Sequence, residues 1–247
     1  MSGYDFKSPR LYLKAPLKAG GNVVLDRAQA HYLSHVLRLK AGERVLVFNG
    51  RDGEWSASLA EGGKRSATLG VVARTRPQTA PADLHYLFVP LKSARLDYMV
   101  QKAVEMGVSR LQPVLTRHGQ VARVNIERMQ ANAVEAAEQC GILSLPDIAP
   151  PVALSSVLAQ RDPGRWLVFC DEAAETANPL TALKNVPEQS PLAVLVGPEG
   201  GFAEDERAIL LRQPNIARVS LGPRILRADT AAVAALAVVQ SVLGDWR

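Results

Sequence analysis

Leu195-Val196-Gly197-Pro198-Glu199-Gly200-Gly201-Phe202 and, shortly downstream, Leu221-Gly222-Pro223-Arg224-Ile225-Leu226-Arg227 decide how this 247-residue chain is read. Each follows an apolar, strand-like run (AVLV, ARVSL), reaches Gly-Pro, and leads through a short loop into a helix-like stretch. Glycine lets backbone approach a ligand closely, and proline fixes the bend. Two such loops at the carboxyl ends of neighbouring strands form the kind of crevice in which α/β sheets bind ligands. The first loop lacks the G-x-G-x-x-G spacing of a dinucleotide turn and the GK[ST] ending of a P-loop. The helix after it opens with Glu204, Asp205 and Glu206. These acids suit the helix macrodipole but repel a phosphate, so a neutral or cationic ligand fits better than a pyrophosphate.

Outward from these loops, strand and helix alternate from residue 83 onward, which predicts an α/β domain with a largely parallel sheet. Strands are expected at LHYLFVPL, RLQPVL, RWLVFC, PLAVLV and IARVSL, with Pro113 marking RLQPVL as an edge. Helices are expected over Arg95–Met106, Glu127–Gln139, Pro179–Lys184, Ala203–Arg212 and Asp229–Leu243. Residues 1–76 read instead as short strands (RLYL, GNVVL, RVLVF, EWSASLA, ATLGVVA) with one helix at Arg27–Leu37 capped by Asp26: a small β-barrel. Residues 77–82 form the linker. Residues 1–77 carry 13 Lys/Arg against 6 Asp/Glu, a net of +7, within a chain whose total is +5. That concentration predicts a polyanion-binding module, with Lys7, Arg10, Lys14, Lys18, Arg38, Lys40, Arg44 and Arg51 as phosphate contacts.

Other chemistries are poorly supplied. There is no G-x-S-x-G elbow, and none of the four histidines falls in the C-terminal loops. His31 and His35 are four apart with no third ligand beside them, so no metal site is expected. Two cysteines are too few for a disulfide scaffold, no apolar run reaches the ~20 residues of a membrane span, and MSGYDFKSPR has no signal-like core. A reduced, cytoplasmic protein is expected. Of the polar sets on helices, Lys92-Gln101-Lys102-Glu105 stands about even between solvated surface and function, while the small residues among Glu135-Glu138-Gln139 point to close packing and favour a structural role. The functional candidates are Glu199, Arg224 and Arg227.

Taken in order, Arg38-Leu39-Lys40-Ala41-Gly42-Glu43, Gln101-Lys102-Ala103-Val104-Glu105-Met106-Gly107-Val108, Glu135-Ala136-Ala137-Glu138-Gln139-Cys140-Gly141 and the two glycine loops resemble the RsmE family of small-subunit 16S ribosomal RNA uracil-N3 methyltransferases, of the SPOUT class. The match is collinear over almost the whole chain. It departs at Ile142, Asp229 and Thr116-Arg117-His118-Gly119. The resemblance implies a PUA-like N-terminal barrel over 1–76, a SPOUT domain with a trefoil knot over 83–247, S-adenosylmethionine as donor, a homodimer, and a specific uridine of the small ribosomal subunit as target. It further implies a donor site made by Phe169, Cys170, Asp171, Gly197, Glu199, Gly200, Gly201, Ser220, Leu221, Gly222, Ile225 and Leu226. Arg227 or Arg224 would stabilise charge on the uracil oxygens. Glu199 or Asp229 would take the N3 proton if burial raised its pKa. Arg10, Arg38, Lys40, Arg51 and Lys92 would face RNA. The competing readings are another SPOUT enzyme, acting on a ribose 2′-hydroxyl, and a non-catalytic RNA-binding assembly factor. Intact glycine loops argue against the latter, because a pure binder has no need of them.

Overall fold

A computed structural model of the chain describes residues 5, 7–60, 67–121, 123–174 and 178–246. Two compact units emerge. One comprises the described residues up to Ala80 together with Ala137–Leu145; the other comprises Pro81–Ala136 and Pro146 onward. The first unit therefore recruits a segment that a division at 77–82 assigns entirely to the second.

In the first unit, β1 (Arg10–Tyr12), β2 (Asn22–Val24), β3 (Arg44–Phe48), β4 (Glu54–Leu59) and β5 (Thr68–Arg76) form a sheet in the order β1-β3-β4-β5-β2. β1 pairs parallel to β3, and the other neighbours are antiparallel. The ladder has β1 and β2 as its ends. Its core is one buried cluster of Leu11, Leu13, Val23, Leu25, Leu33, Val45, Val47, Leu69 and Val71. Helix α1 (Arg27–His31) starts where Asp26 caps it in a reciprocal box with Gln29. The chain then winds through a wider π turn, Tyr32–Val36, which drives Leu33 into the cluster. His31 and His35 stack on its outside, ring centroids 4.7 Å apart.

Glu54 anchors this unit. It is buried and receives Arg10 at 3.2 Å and Arg76 at 2.7 Å. Arg10 is only 7% exposed, so it holds the fold together and is unavailable to RNA, contrary to the reading of its charge. The recruited segment is tied in by hydrogen bonds from the Tyr12 N–H to Glu138, from Arg76 to the Gly141 carbonyl, and from Gln78 to Ser144, each 2.8 Å.

In the second unit, β6 (Leu84–Phe88), β7 (Arg110–Leu115), β8 (Asp147–Ile148), β10 (Trp166–Cys170), β11 (Leu192–Val196) and β12 (Ile216–Val219) follow the order β12-β10-β11-β6-β7-β8; β9 (Val152–Ala153) pairs with β7 further along. Every pairing is parallel. β7 is therefore internal, not the edge expected from Pro113. This proline falls between the stretch of β7 bonded to β8 (110–111) and that bonded to β9 (114–115), where the side-chain amide of Gln112 bonds the Pro150 carbonyl instead. The proline occupies a gap in the ladder, where a missing N–H costs little.

The strands are apolar on both sides, as a sheet covered by helices requires. One face (Leu87, Val114, Leu167, Phe169, Ala193, Leu195) packs with Leu154 and Leu158 of α4 (Leu154–Gln160) and Leu210 of α6 (Glu204–Leu211). On the other, Tyr86 packs on Met99 of α2 (Ser93–Glu105), while the Ala/Val-rich α7 (Ala228–Val242) lies against α2 and β11. Helix α5 (Pro179–Leu183, capped by Asn178) and α3 (Ile126–Cys140) as far as Ala136 complete the set; the last turn of α3 belongs to the first unit. β8, β9 and α4 escaped the sequence reading because the strands are two residues long and the helix has no side-chain cap.

Candidate active site

The carboxyl ends of the adjacent strands β10, β11 and β12 open into one cavity of about 520 Å³. Its wall takes Phe169, Cys170, Asp171, Glu172 and Ala173 from the end of β10, and Val196, Gly197, Pro198, Glu199, Gly201 and Phe202 after β11. It takes Val219 to Leu226 after β12, and then Ala228 and Ala231 of α7. The chain brings these together because β10 lies between β11 and β12 in the sheet, so three loops distant in sequence share one rim. Among the candidates, Gly200 and Arg227 do not line this cavity. Gly200 turns to the opposite side, its missing side chain facing the Cβ of His118 at 3.8 Å. Arg227 is exposed at the N-cap of α7.

The glycines are used in different ways. A Cβ on Gly197 would lie 2.5 Å from the Phe202 ring, so this glycine lets Phe202 fold back edge-on against Phe169. Gly222 has φ +100°, and nothing lies within 4 Å of where a Cβ would stand, so its backbone borders open space. Only glycine adopts that conformation cheaply.

Asp171 is the buried charge of the site. Burial alone would raise its pKa. Hydrogen bonds from Arg207, the Ala173 N–H and Arg218 outweigh that and hold its carboxyl below the ordinary range. Arg207 of α6 reaches it at 2.9 Å and Arg218 of β12 at 2.9 Å, so this carboxylate staples three elements at the cavity floor. Burial pushes the Cys170 thiol up to about 12, which keeps it protonated and unfit as a nucleophile. Two of the three acids that open α6 have partners: Glu206 accepts the Ala203 N–H and the Arg117 N–H, and Asp205 pairs with Arg117 at 2.6 Å. Glu199 is half exposed, and Arg95 of α2 binds it at 2.5 Å. The burial expected of it as a proton acceptor is therefore not present. Asp229, in the first turn of α7, is outside the cavity.

A second cavity, of about 490 Å³, lies across the first glycine loop and shares Pro198 and Glu199 with the first. Lys92, Arg95, His118 and Gly200 are in its wall. Sequence reasoning passed over Arg95, His118, Arg207 and Arg218, since only the sheet order sets them beside the glycine loops. Of the helix sets, Lys102 and Glu105 pair with each other at 2.7 Å, and Gln101 bonds Asn132. Arg38, Lys40 and Arg51 are exposed on the first unit, Arg38 in a left-handed conformation (φ 55°). Among the described residues, no cluster of His, Cys, Asp and Glu could hold a metal, and no helix is long and apolar enough to cross a membrane.

A covered parallel sheet with a glycine-lined cavity at its strand ends, joined to a basic β unit, is matched by two domain families. Residues 78–240 match the RNA methyltransferase domain, and residues 25–72 match the RNA methyltransferase PUA domain. At full length the chain is 30% identical over 235 residues to ribosomal RNA small subunit methyltransferase E of Rickettsia conorii, covering 95% of this chain and 96% of that one. It also superimposes on the crystal structure of ribosomal RNA small subunit methyltransferase E from Neisseria gonorrhoeae bound to S-adenosyl methionine. There the TM-score is 0.85 at 28% identity, over 97% and 100% of the two chains. A putative methyltransferase from Legionella pneumophila in complex with the same cofactor gives 0.83 at 25%, over 95% and 98%. The chain belongs to the ribosomal RNA small subunit methyltransferase E family of RNA methyltransferases.

Proposed function

We propose that this chain methylates N3 of a specific uridine in 16S ribosomal RNA of the small subunit, using S-adenosylmethionine. The observation that carries the reading is the three-loop cavity, in a chain whose relatives of like fold bind that donor. The cavity fits such a molecule in size, within the ~300–1,000 Å³ of small-molecule sites. It also fits in chemistry: apolar walls from Phe169, Val196, Phe202 and Leu226, backbone laid open at Gly222, and acidic residues at the start of α6, the helix after the first glycine loop. When bound, the donor supplies an electrophilic methyl group on a sulfonium.

The backbone of Phe169–Asp171, Gly197–Glu199 with Gly201, and Ser220–Leu226 would hold it. Asp171, stapled by Arg207 and Arg218, keeps the three loops in register. Arg224 lines the cavity and stabilises charge developing on a uracil oxygen. Arg227, outside the lining, meets the incoming RNA. Glu199, at the boundary of both cavities, accepts the N3 proton in a contact with substrate rather than through burial. The exposed Arg38, Lys40 and Arg51, with Lys92, bind phosphates. The knot, a homodimeric assembly, assembled small subunits as substrate and a cytoplasmic location complete the reading; they rest on family membership. Calorimetry of donor binding, followed by mass mapping of methylated nucleotides in small-subunit RNA, tests it. Methyl appearing on a ribose, or no donor binding, overturns it.

A further inference from the structure

The second cavity lies at the carboxyl ends of β6 and β7, between the segment Val89–Arg95 that leads into α2 and the stretch after β7 that carries His118, Gln120 and Val121. Its third wall is the outer side of the first glycine loop: Pro198, Glu199 and Gly200. Apolar surface comes from Val89, Pro90, Leu91, Val121 and Pro198, enough to face both sides of a flat ring. The polar groups are the cationic donors Lys92 and Arg95, the Gln120 amide, which both donates and accepts, Ser93 and His118, against the single carboxylate of Glu199. Arg95 and Glu199 are both about half exposed, so their ion pair is weak and exchangeable. His118 is set by a 3.1 Å contact between its Nδ1 and the Gly201 carbonyl, and Gly200 leaves the space beside its Cβ open.

A group-transfer enzyme must hold its two reactants with the reacting atoms about 3–3.5 Å apart, which demands two sites that open onto one another. Here the two cavities meet at Pro198 and Glu199, which line both. We infer that the second cavity receives the acceptor nucleotide, with the uracil between Val89–Leu91 and Pro198, its phosphate on Lys92 and Arg95, and His118 closing one side. This rests on the methyltransferase reading and adds residues to it. Arg95 acts as a positioning residue, releasing Glu199 towards the base as its guanidinium turns to the phosphate. A base that has left its stack can be read this way by contacts to its edge.

Gly200 decides the matter, because its backbone is not in the left-handed region and a Cβ there meets only the His118 Cβ, at an ordinary 3.8 Å. Gly200 lines the second cavity and not the first, so Gly200→Leu should fill the second. With small-subunit RNA as acceptor, we expect the donor Kd to stay within about twofold of wild type while acceptor kcat/KM falls more than about tenfold. Ala94→Phe, at an exposed position on the far wall, should do the same and decides if Gly200→Leu folds poorly. Arg95→Ala should raise KM for RNA with the donor Kd unchanged, with partial rescue by Arg95→Lys. Uridine 5′-monophosphate titrated into the donor-bound protein should move the His118 ring resonances. Wild-type kcat/KM in both cavity-filling variants, with donor binding intact, overturns the assignment and leaves the enzyme reading standing. Loss of donor binding in Gly200→Leu overturns it too, since the loop would then be a single cradle. A wild-type protein that transfers no methyl group sinks both.

Discussion

At the scale of single residues, the two Gly-Pro loops differ more than their sequences do. Gly222 holds a conformation only glycine adopts cheaply and borders open space. Gly222→Ala should therefore cost about 1–2 kcal/mol of backbone strain and weaken donor binding at least tenfold, read by calorimetry on a variant with native circular dichroism. Undiminished affinity would show that the loop is an ordinary turn. Arg224 is in the cavity wall and Arg227 is not. Arg224→Ala should lower single-turnover methyl transfer by about a hundredfold, the effect of removing one charge-stabilising donor, with donor affinity unchanged or higher because the donor is itself cationic. Arg227→Ala should act mainly on the KM for RNA. The opposite ranking would return the charge-stabilising role to Arg227.

At the scale of elements, β6 carries a pH-sensitive contact far from the cavity. His85 sits where burial, then the charge of Arg165, lowers its pKa to about 4; Asp83 at 3.5 Å and Asp147 pull it up, and Arg110 pushes it down. Its ordinary value is 6.5. The unfolded chain therefore binds this proton more readily than the native one. The contribution of neutral His85 is complete above about pH 6.5 and is lost as pH falls towards 4. The melting temperature should decline across that window and decline less in His85→Gln. The depressed carboxyls of Asp97 and Asp171 titrate below their ordinary 3.8, so their losses fall at lower pH and the two effects separate. An identical pH profile in His85→Gln would assign the decline to other groups.

At the scale of the whole molecule, charge is divided unevenly: +7 in residues 1–77 and −2 in the rest. RNA binding by the full chain should weaken steeply with salt, and Lys40→Ala or Arg51→Ala should each reduce the log–log slope by about one, in fluorescence anisotropy titrations. Arg10→Ala should instead lower the melting temperature and leave the slope unchanged, because Arg10 is buried on Glu54. A slope that Lys40→Ala and Arg51→Ala leave untouched would place the RNA face elsewhere. The full chain is the right reagent, since the first unit includes Ala137–Leu145 and a fragment ending at 77 would lose the bonds to Glu138, Gly141 and Ser144.

The sequence by itself determined the kind of elements and their order. Apolar periodicity, the Asp26 cap and the Gly-Pro punctuation are local signals, and local signals survive in one dimension. The same holds for the glycine loops, whose residue types state their chemistry before any folding. Only the tertiary structure decided which side of a loop faces which cavity. Gly200 and Gly201 are adjacent in sequence yet border different spaces. Arg10, Arg38 and Arg51 carry the same charge, but only the fold buries one of them on Glu54. Strand order did the rest: it set β10 between β11 and β12, gave Asp171 its two arginines, and brought Arg95 to Glu199 across more than a hundred residues of chain. Such pairings depend on which distant surfaces pack together, a property of the whole chain that no window of sequence contains.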